Sequence, residues 1–467
     1  MENKEEIINN YIFEEILNRP NLLNEKLTYN NKKLNHRNSY YQIKNYLDDF
    51  IKGNPNNRFI VMPGLRGVGK TTIVYQIYEY LLKTKEIEQN RILYISGDII
   101  NSYFDLNILE IVEHYIKNIH NQTLVTLDKQ LFVFIDESQY DNKWSLAGKI
   151  IFDKSNKVFM IFTGSSAVSL EINVDATRRA LKVPLNPISF KEHLYLKYNF
   201  KTQENNPIKE LIYTGEVKKA KEFENKINLD ILNIKNYNIN EWEDYLKFGA
   251  FPFSINETNH LITCNKLNEM INKVVETDLT NISEVSKVNA SRILHFLALQ
   301  KPNEISQNKI ANFLNASSGS VNKIISILEK SHLIFHVEPY SSSSKRIRKS
   351  WKYYFKTPSL RHVLSLNIGN INRDINSYLG VLVENLVASN LSNTYYDSKK
   401  GGVDFIIHKN DKVIPIEVGY SKKSKKQIKK AISNYKSDYG IVISNTTGKI
   451  EKEDNIIYLP IKTFSFI

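Results

Sequence analysis

Short apolar runs, separated by segments with helical spacing, dominate the pattern of the chain between residues 58 and 164. Each run has the pattern of a buried strand and stops at a glycine, a serine or an acidic residue. This alternation of strand and helix predicts a parallel sheet that is covered by helices on both faces. The runs are RFIVMPG (58–64), RILYIS (91–96), LFVFIDE (131–137) and KVFMIFTG (157–164).

The apolar pattern changes at several places along the chain. Helical spacing at Ile8, Ile12 and Ile16 precedes the strands, and helical periodicity replaces the strand pattern after Pro187. Two short helices, a hairpin and then a second mixture of strands and helices follow. We therefore predict an N-terminal helical segment at 1–50, an α/β core at 51–187, a helical region at 188–285, a helix–helix–hairpin module at 286–365 and a second α/β domain at 366–467.

Length and composition place the chain among multidomain globular proteins. It has 467 residues, which is more than one compact domain holds, and 42% of them are apolar. The one cysteine, Cys264, excludes an intrachain disulfide framework and suits a reducing compartment. The charged N-terminal residues do not resemble a signal peptide, and no apolar run approaches the roughly 18 residues of a membrane span. We expect a cytoplasmic protein without membrane association.

The first apolar run leads directly into GLRGVGKT (64–71), which matches the phosphate-binding pattern G-x-x-x-x-G-K-[ST]. The motif stands between a predicted strand and a predicted helix, where backbone amides and the helix N-terminus can surround phosphates. Lys70 is expected to bind the β- and γ-phosphates, which makes it a catalytic candidate, and the Thr71 hydroxyl to hold Mg²⁺. The predicted nucleotide-binding residues are Gly64, Leu65, Arg66, Gly67, Val68, Gly69, Lys70, Thr71, Thr72 and Thr163.

Further candidates for phosphate chemistry follow the later strands. Asp136 ends the third run and is predicted to hold the Mg²⁺ shell, while Glu137 is predicted to polarise the attacking water. Thr163 ends the fourth run, and the carboxyl ends of parallel strands line the ligand crevice, so a hydroxyl here would sense the γ-phosphate. Arg178 and Arg179 are candidates for a cation that stabilises the transition state, in cis or from a neighbouring subunit.

Several of these segments together resemble the prokaryotic AAA-type ATPases that carry a winged helix and a C-terminal restriction-endonuclease-like domain. The resemblance covers nearly the whole chain. It implies an additional-strand P-loop ATPase core, a helical lid at 188–285, a winged helix at 286–365, a nuclease-like α/β domain at 366–467, and ATP as substrate. The segments that carry it are FVFIDESQYDNKW (132–144), KVFMIFTGSSA (157–167), RRALKVPLNPISFKEH (178–193) and YLKFGAFP (245–252).

The predicted winged helix begins with two short helical patterns in residues 304–335, around the turn ASSG (316–319). Ser320 is a possible N-cap of the second helix. Residues 333–337 and 351–355, joined by a serine turn, predict a hairpin wing. Such a module either contacts the sugar–phosphate backbone of DNA or serves as a spacer that docks another protein, and both alternatives stay open. Cations for phosphate contacts would be Lys345, Arg346, Arg348, Lys349 and Lys352.

In the last domain, Glu384 on a predicted helix, Asp404 in GVDFII and Glu417 in PIEV form a possible second divalent-metal site. Strands of this kind usually end in a lysine, but here that position is Gly419. This leaves three interpretations: an active nuclease, a nucleic-acid-binding remnant or a structural domain. Lysines that could act from the following helix are Lys422 and Lys423.

The combined prediction is an ATP-binding and ATP-hydrolysing switch that uses Mg²⁺. A formal net charge of +13 favours a polyanion partner, so we expect the winged helix and the lysine-rich C-terminal domain to contact DNA. A surplus of lysine on a solvated surface would give the same charge. The alternatives are an ATP-regulated DNA endonuclease and a nucleotide-gated scaffold that binds protein, and a homo-oligomer or protein partner is possible.

Overall fold

A computed structural model describes residues 4–164, 178–202, 205–278, 284–342, 346, 350–369, 374–421 and 425–467. The chain divides into two compact units, of which the first ends at Asn186 and the second begins at Pro187. The N-terminal segment, which the sequence pattern sets apart from the α/β core, belongs to the first unit.

The first unit alternates helices and strands. Its helices are α1 (Lys4–Leu27), α2 (Asn38–Ile51), α3 (Lys70–Lys83), α4 (Gly97–Phe104), α5 (Ile108–His120) and α6 (Trp144–Lys154). Its strands are β1 (Thr28–Tyr29), β2 (Lys32–Lys33), β3 (Phe59–Pro63), β4 (Ile92–Ser96), β5 (Leu131–Asp136), β6 (Val158–Gly164) and β7 (Leu181–Lys182).

The described residues of the first unit form a five-stranded sheet in the order β4-β5-β6-β3-β7, with every neighbouring pair parallel. The predicted parallel sheet is therefore confirmed. Strand β6 lies between β3, which leads into the phosphate loop, and β5, which ends at Asp136. Strand β6 is thus the extra strand that defines an additional-strand core. Its carboxyl end lies between the phosphate loop and Asp136.

Helices cover both faces of this sheet, because its strands are apolar on both sides. On one face Ile8, Ile12 and Ile16 of α1 belong to the same buried cluster as residues of β4, β5, α5 and α6. On the other face the ring of Phe50, at the end of α2, packs against Phe132 and Phe159. Each fully buried apolar side chain contributes about 1.5–3 kcal/mol, so α1 is part of the core rather than an appendage.

The second unit begins with helices α7 (Phe190–Tyr198), α8 (Pro207–Thr214), α9 (Lys218–Leu232), α10 (Glu241–Phe248) and α11 (His260–Asp278). The module that follows comprises α12 (Glu284–Leu299), α13 (Gln307–Leu314), α14 (Ser318–Lys330), β8 (Ile334–Val337) and β9 (Lys352–Phe355). The last part comprises α15 (Pro358–Asn367), α16 (Ile375–Asn390), β10 (Thr394–Tyr395), β11 (Phe405–Lys409), β12 (Lys412–Gly419), α17 (Lys425–Tyr435), β13 (Gly440–Ser444), β14 (Glu451–Glu453), β15 (Ile456–Pro460) and α18 (Ile461–Phe464).

None of the helices in the described part of the chain combines the length and the apolar composition that a bilayer crossing requires.

The segment YLKFGAFP (245–252) forms hydrogen bonds within the second unit that hold the start of α7 in place. The Tyr245 hydroxyl donates to the Ile188 carbonyl at 3.0 Å, and the Ile188 amide donates to the Ala250 carbonyl at 2.9 Å. A Cβ on Gly249 would lie 2.7 Å from the Tyr245 carbonyl oxygen, so the close return of the chain requires glycine.

The two short helices and the hairpin lie where the sequence predicts them. Strands β8 and β9 pair antiparallel, with Ile334 opposite Phe355 and Val337 opposite Lys352. The predicted N-cap, Ser320, is wrong: α14 begins earlier, and the Ser317 side chain accepts from the Ser320 amide at 3.1 Å. The side-chain oxygen of either serine could accept a hydrogen bond from a backbone amide of the first helical turn. The position at which the preceding turn ends decides which serine does so.

The described C-terminal residues form a six-stranded mixed sheet in the order β10-β11-β12-β13-β15-β14. Strands β11 and β12 form the predicted hairpin, whose two-residue turn has φ angles of 49° at Asn410 and 61° at Asp411. Asparagine and aspartate tolerate this left-handed conformation better than other non-glycine residues. Strand β12 then pairs parallel with β13, and α17 makes the crossover between them.

Candidate active site

The loop between β3 and α3 has a backbone that depends on glycine, most clearly at Gly64 and Gly69. Helix α3 begins at Lys70, directly after Gly69, whose φ of 93° lies in the left-handed region. A Cβ on Gly64 would lie 2.4 Å from the Leu185 carbonyl oxygen, so a larger residue would push the loop away from the sheet. The loop therefore ends at a helix N-terminus, where backbone N–H groups favour an anion.

Lys70 lies inside this loop. Its side chain is only 5% exposed, and the ammonium donates hydrogen bonds of 2.8 Å to the carbonyls of Gly64 and of Leu65. Burial against these carbonyls directs the positive charge inward rather than to solvent. The geometry agrees with a lysine that meets phosphate oxygens held by the loop.

Arg37 supports the loop, and the sequence analysis did not identify it. Its guanidinium is buried, with Nη1 donating to the Val68 carbonyl at 2.6 Å and Nη2 to the Asn186 carbonyl at 2.9 Å. One side chain thus joins the phosphate loop to the residue at which the first unit ends. A lone arginine 31 positions before Val68 gives no local signal of this contact.

Three hydroxyl groups converge on the carboxylate of Asp136 at the end of β5. Its Oδ2 accepts a hydrogen bond of 2.6 Å from Thr71 Oγ1 and one of 2.9 Å from the Tyr94 hydroxyl. Its Oδ1 accepts from Thr163 Oγ1. The structure therefore brings Thr71, Asp136 and Thr163, predicted from three separate segments, into one cluster. It adds Tyr94, which stands in an ordinary apolar strand and carries no motif.

Glu137 follows Asp136 in a left-handed conformation with φ of 49°. Such a backbone costs a non-glycine residue roughly 1–3 kcal/mol, and here its amide donates to Asp136 Oδ1 at 3.2 Å and to Thr163 Oγ1 at 3.3 Å. The Glu137 carboxylate accepts from Gln139 and lies 3.9 Å from Nη2 of Arg66. The side chain is 21% exposed, so water reaches it. Its role in polarising water stays a prediction.

Arg178 and Arg179 do not reach this cluster within one chain. Strand β7 runs parallel to β3 with Leu181 opposite Ile60, so both arginines lie toward the amino end of β3. The phosphate loop follows the other end, about 10 Å or more away at ~3.3 Å per residue. Arg179 Nε donates to Asp153 at 2.5 Å, and Arg178 is exposed. The geometry therefore disfavours Arg178 and Arg179 of the same chain as the source of a catalytic cation, and a neighbouring subunit remains the other predicted source.

The donor set fits a magnesium nucleotide. The Thr71 hydroxyl and the Asp136 carboxylate are hard oxygen ligands of the kind that Mg²⁺ prefers, and their 2.6 Å contact places them side by side. The buried ammonium and the helix N-terminus supply positive charge for phosphates. Of the other predicted loop residues, Leu65 and Val68 are buried in the core, and Thr72 lies in the first turn of α3.

The carboxylates predicted as a second metal site are Glu384 on α16, Asp404 directly before β11, and Glu417 on β12. Among the described residues, no group of three or more His, Cys, Asp or Glu side chains is arranged to hold a metal ion. Glu384 Oε1 accepts from the Tyr354 hydroxyl at 2.8 Å, and Asp404 Oδ2 accepts from the Val418 amide at 2.8 Å. A protein donor therefore contacts one oxygen of Glu384 and one of Asp404, and the second metal site stays a prediction.

The carboxyl group of Glu384 is largely withdrawn from solvent, with 16% of its side chain exposed. Burial, and next the carboxylate of Asp404, raise the pKa of Glu384 to about 7. Lys352 Nζ lies 3.9 Å from Glu384 Oε1, and burial lowers the pKa of the nearby Arg361 guanidinium to about 10. Gly419, in the place of the usual lysine, pairs with the end of β13. The predicted replacements, Lys422 and Lys423, lie outside the described residues.

Two of the predicted wing cations contact this chain's own side chains. Arg346 Nη1 donates to the Tyr395 hydroxyl at 3.0 Å and lies 3.7 Å from Oε2 of Glu338, while Lys352 faces Glu384 as above. Their charges are therefore partly neutralised within the fold. The remaining predicted wing cations lie outside the described residues: Lys345, Arg348 and Lys349.

Comparison with protein families agrees with the chemistry of the first unit. Residues 56–194 match the family described as AAA domain, which contains the phosphate loop and the Asp136–Glu137 pair. Residues 239–372 and 379–464 match two families described as domains of unknown function, DUF8612 and DUF4143. The first unit therefore carries an AAA-type P-loop domain.

Relatives extend over most of the chain. A solved structure, the Walker-type ATPase PABY2304 of Pyrococcus abyssi, shares 12% identity with a TM-score of 0.44, over 72% of this chain and 97% of that one. The uncharacterized protein MJ1544 of Methanocaldococcus jannaschii is 25% identical, over 82% of this chain and 80% of that protein. The uncharacterized protein MJ1637 of the same organism is 33% identical over 98% of this chain and 93% of its own length. The chain therefore belongs to the family of MJ1637.

Proposed function

We propose that the protein binds ATP with Mg²⁺ at the loop 64–71 and hydrolyses it, and that it acts as a nucleotide-driven switch. The observation that carries the proposal is the 2.6 Å contact between Thr71 and Asp136, beside the inward ammonium of Lys70. A lysine and a hydroxyl from the start of α3 and a carboxylate from the end of β5 meet at the end of a parallel sheet, where phosphate-binding sites form.

In this function each side chain has a separate task. Lys70 binds phosphate oxygens, and the amides at the start of α3 hold them in place. Thr71 and Asp136 hold Mg²⁺, which, when bound, offsets phosphate charge. Glu137 accepts a hydrogen bond from the attacking water and orients it, and Arg66, 3.9 Å away, limits where that carboxylate can point.

The nucleotide is ATP rather than GTP in this proposal. The chain has no Asn/Thr-Lys-x-Asp motif, which reads guanine in P-loop GTPases. The match of residues 56–194 to an AAA domain supports the same choice. Competition between ATP and GTP for one labelled nucleotide would measure the preference directly.

The decisive test compares two lysine variants of the same helix. Lys70→Ala should weaken ATP binding by at least about tenfold and abolish turnover, because a charged hydrogen-bond donor contributes roughly 1.5–3 kcal/mol. Lys83→Ala, at the other end of α3 where Nζ contacts Glu79 at 2.9 Å, is the matched control. Equal ATP affinity in wild type, Lys70→Ala and Lys83→Ala would remove the proposal.

Association with DNA is the second function we propose, and the charge of the second unit supports it. Helix α17 exposes Lys429 and Lys430, and the chain carries a formal net charge of +13. Lys425 of the same helix contributes less, since its ammonium lies 2.5 Å from Glu453. The order of α13, α14, β8 and β9 is that of a winged helix, which is how the resemblance interprets it.

Duplex DNA binding measured across a salt series tests this second proposal. Lys429→Glu with Lys430→Glu should lower affinity and reduce the slope of log affinity against log salt by about two, near one for each phosphate that a lysine neutralises. Lys218→Glu with Lys219→Glu, a pair of exposed lysines on α9, is the control. Absence of binding at any salt would favour the protein scaffold instead. Metal-dependent cutting that Glu417→Ala abolishes would favour the endonuclease.

A further inference from the structure

Asp136 has a hydrogen-bond partner that no phosphate-binding motif includes. The Tyr94 hydroxyl donates at 2.9 Å to the same oxygen, Oδ2, that accepts from Thr71 at 2.6 Å. Tyr94 lies on β4, the strand next to β5 in the sheet, and only 6% of its side chain is exposed. It is thus a buried donor to the carboxylate, and it comes from the strand on the other side of β5 from β3.

The Tyr94 ring is itself held in place by two other side chains. It stacks on the Tyr75 ring with centroids 5.3 Å apart and an angle of 18° between the planes. The Arg19 guanidinium lies 4.0 Å from the centroid of the Tyr94 ring, and its Nη1 donates to the Tyr75 hydroxyl at 2.6 Å. Arg19 is in turn paired with Glu15 on α1. Stacking and a cation–π contact together restrict the ring to one orientation.

The Tyr94 hydroxyl is the donor in this contact, because an ionised carboxylate has no proton to give. Oδ2 of Asp136 therefore accepts hydrogen bonds from both Tyr94 and Thr71, while Oδ1 accepts one from Thr163.

We propose that Tyr94 is a positioning residue for the magnesium site, which fixes the carboxylate of Asp136, and that Arg19 of α1 acts through it. The proposal rests on the proposed function. The terminal torsion of an aspartate is broad, and Tyr94 adds a third side-chain hydrogen bond to those that Thr71 and Thr163 donate to this carboxylate. Groups that orient metal ligands typically change metal affinity by 10–100-fold when removed. The N-terminal helix, far from the loop in sequence, thereby becomes part of the support of the site.

Binding of a non-hydrolysable ATP analogue, with and without Mg²⁺, tests this proposal without relying on turnover. Tyr94→Phe keeps the ring and removes only the hydroxyl. The Mg²⁺ concentration that gives half-maximal analogue binding should rise on the order of tenfold, whereas binding in the presence of a chelator should match wild type. The control is Tyr115→Phe, which removes another buried hydroxyl of this unit, one that donates to the Asn90 carbonyl at 2.6 Å.

Each result decides the matter. An unchanged Mg²⁺ dependence in Tyr94→Phe, or an equal shift in Tyr115→Phe, would overturn the proposal. Should Tyr94→Phe fail to fold, Arg19→Met decides: a smaller shift in the same direction supports the proposal, and wild-type Mg²⁺ dependence refutes it. Wild-type protein that binds no nucleotide would instead disprove the proposed function itself, and that result is seen before any variant is compared.

Discussion

The Thr71 hydroxyl donates a hydrogen bond of 2.6 Å to Oδ2 of Asp136, although the two residues stand 65 positions apart in the chain. Thr71 lies in the first turn of the helix after the phosphate loop, and Asp136 ends a strand two places away from β3 in the sheet. Their contact defines where a magnesium nucleotide would bind, and the first prediction follows from it.

Thr71→Val should weaken Mg²⁺-dependent ATP binding by roughly tenfold or more, because a methyl group replaces a hard oxygen ligand. Thr71→Ser should retain most of the affinity, since it keeps the hydroxyl. Titration calorimetry with MgATP gives both values. The assignment of Thr71 would be wrong if the valine and serine variants bound equally well.

Glu137→Gln should keep ATP affinity and slow hydrolysis by roughly 10²-fold or more, because an amide orients water but does not accept its proton. The backbone that holds this residue is unaffected, since the bonds to Asp136 and Thr163 come from its main-chain amide. Equilibrium binding measures the ATP affinity of the variant, and single-turnover kinetics measures its rate of hydrolysis. Unaltered hydrolysis would exclude Glu137 as the base.

Arg37→Met should lower the free energy of unfolding of the first unit by about 2–3 kcal/mol and also reduce ATP affinity severalfold. The change leaves the Val68 and Asn186 carbonyls without a charged donor, and Val68 belongs to the phosphate loop. Urea unfolding and ATP binding are the two measurements.

A second buried arginine supplies the control for Arg37. Arg58 also donates to backbone carbonyls, at 2.6 Å to Pro55 and 2.7 Å to Phe152, but it precedes β3 at the end of the sheet away from the loop. Arg58→Met should therefore cost similar stability and leave ATP affinity unchanged. Parallel loss of affinity in both variants would show that the effect is general destabilisation.

Glu384 should make the stability of the second unit depend on pH. Its pKa of about 7 in the fold lies above the ordinary 4.5, so the folded state holds the proton more tightly. The stabilisation from its protonated form is fully present below pH 4.5 and is lost as pH rises to 7, by about 3 kcal/mol. Glu384→Gln should remove this dependence while keeping an acceptor for Tyr354.

The measurement is the urea unfolding midpoint at pH 5 and pH 8 for wild type, Glu384→Gln and the exposed-site control Glu216→Gln. Taking differences between variants matters because His362 acts in the opposite direction. Burial lowers the pKa of His362 to about 4, so its contribution is lost as pH falls below 6.5. A stability difference between wild type and Glu384→Gln that does not change with pH would contradict the prediction.

The strands of the first unit and the loop 64–71 are predictable because their signals are local. Runs such as LFVFI are apolar on both faces, and only a sheet covered on both sides buries them. Gly69 takes the left-handed conformation of the last loop residue, and Lys70 is the first residue of α3, so both belong to one short segment. The two-residue strand β7 is different: it has no pattern of its own and exists only by pairing with β3.

The acidic residues of the C-terminal domain show what the order of residues leaves undetermined. Glu384, Asp404 and Glu417 have the spacing of a metal site, but spacing does not specify which donors approach each oxygen. The Tyr354 hydroxyl and the Val418 amide, from other segments, already bind Glu384 and Asp404. The order of residue types therefore does not by itself decide whether these carboxylates hold a metal ion.

The sequence by itself determined the parallel sheet, the phosphate loop and the acidic pair, because each depends on neighbours along the chain. Only the tertiary structure decided that Tyr94 and Arg37 support the site and that Arg178 and Arg179 lie at the other end of the sheet from it. Those facts depend on strand order and direction, which bring distant residues together or keep them apart, and no local pattern records them.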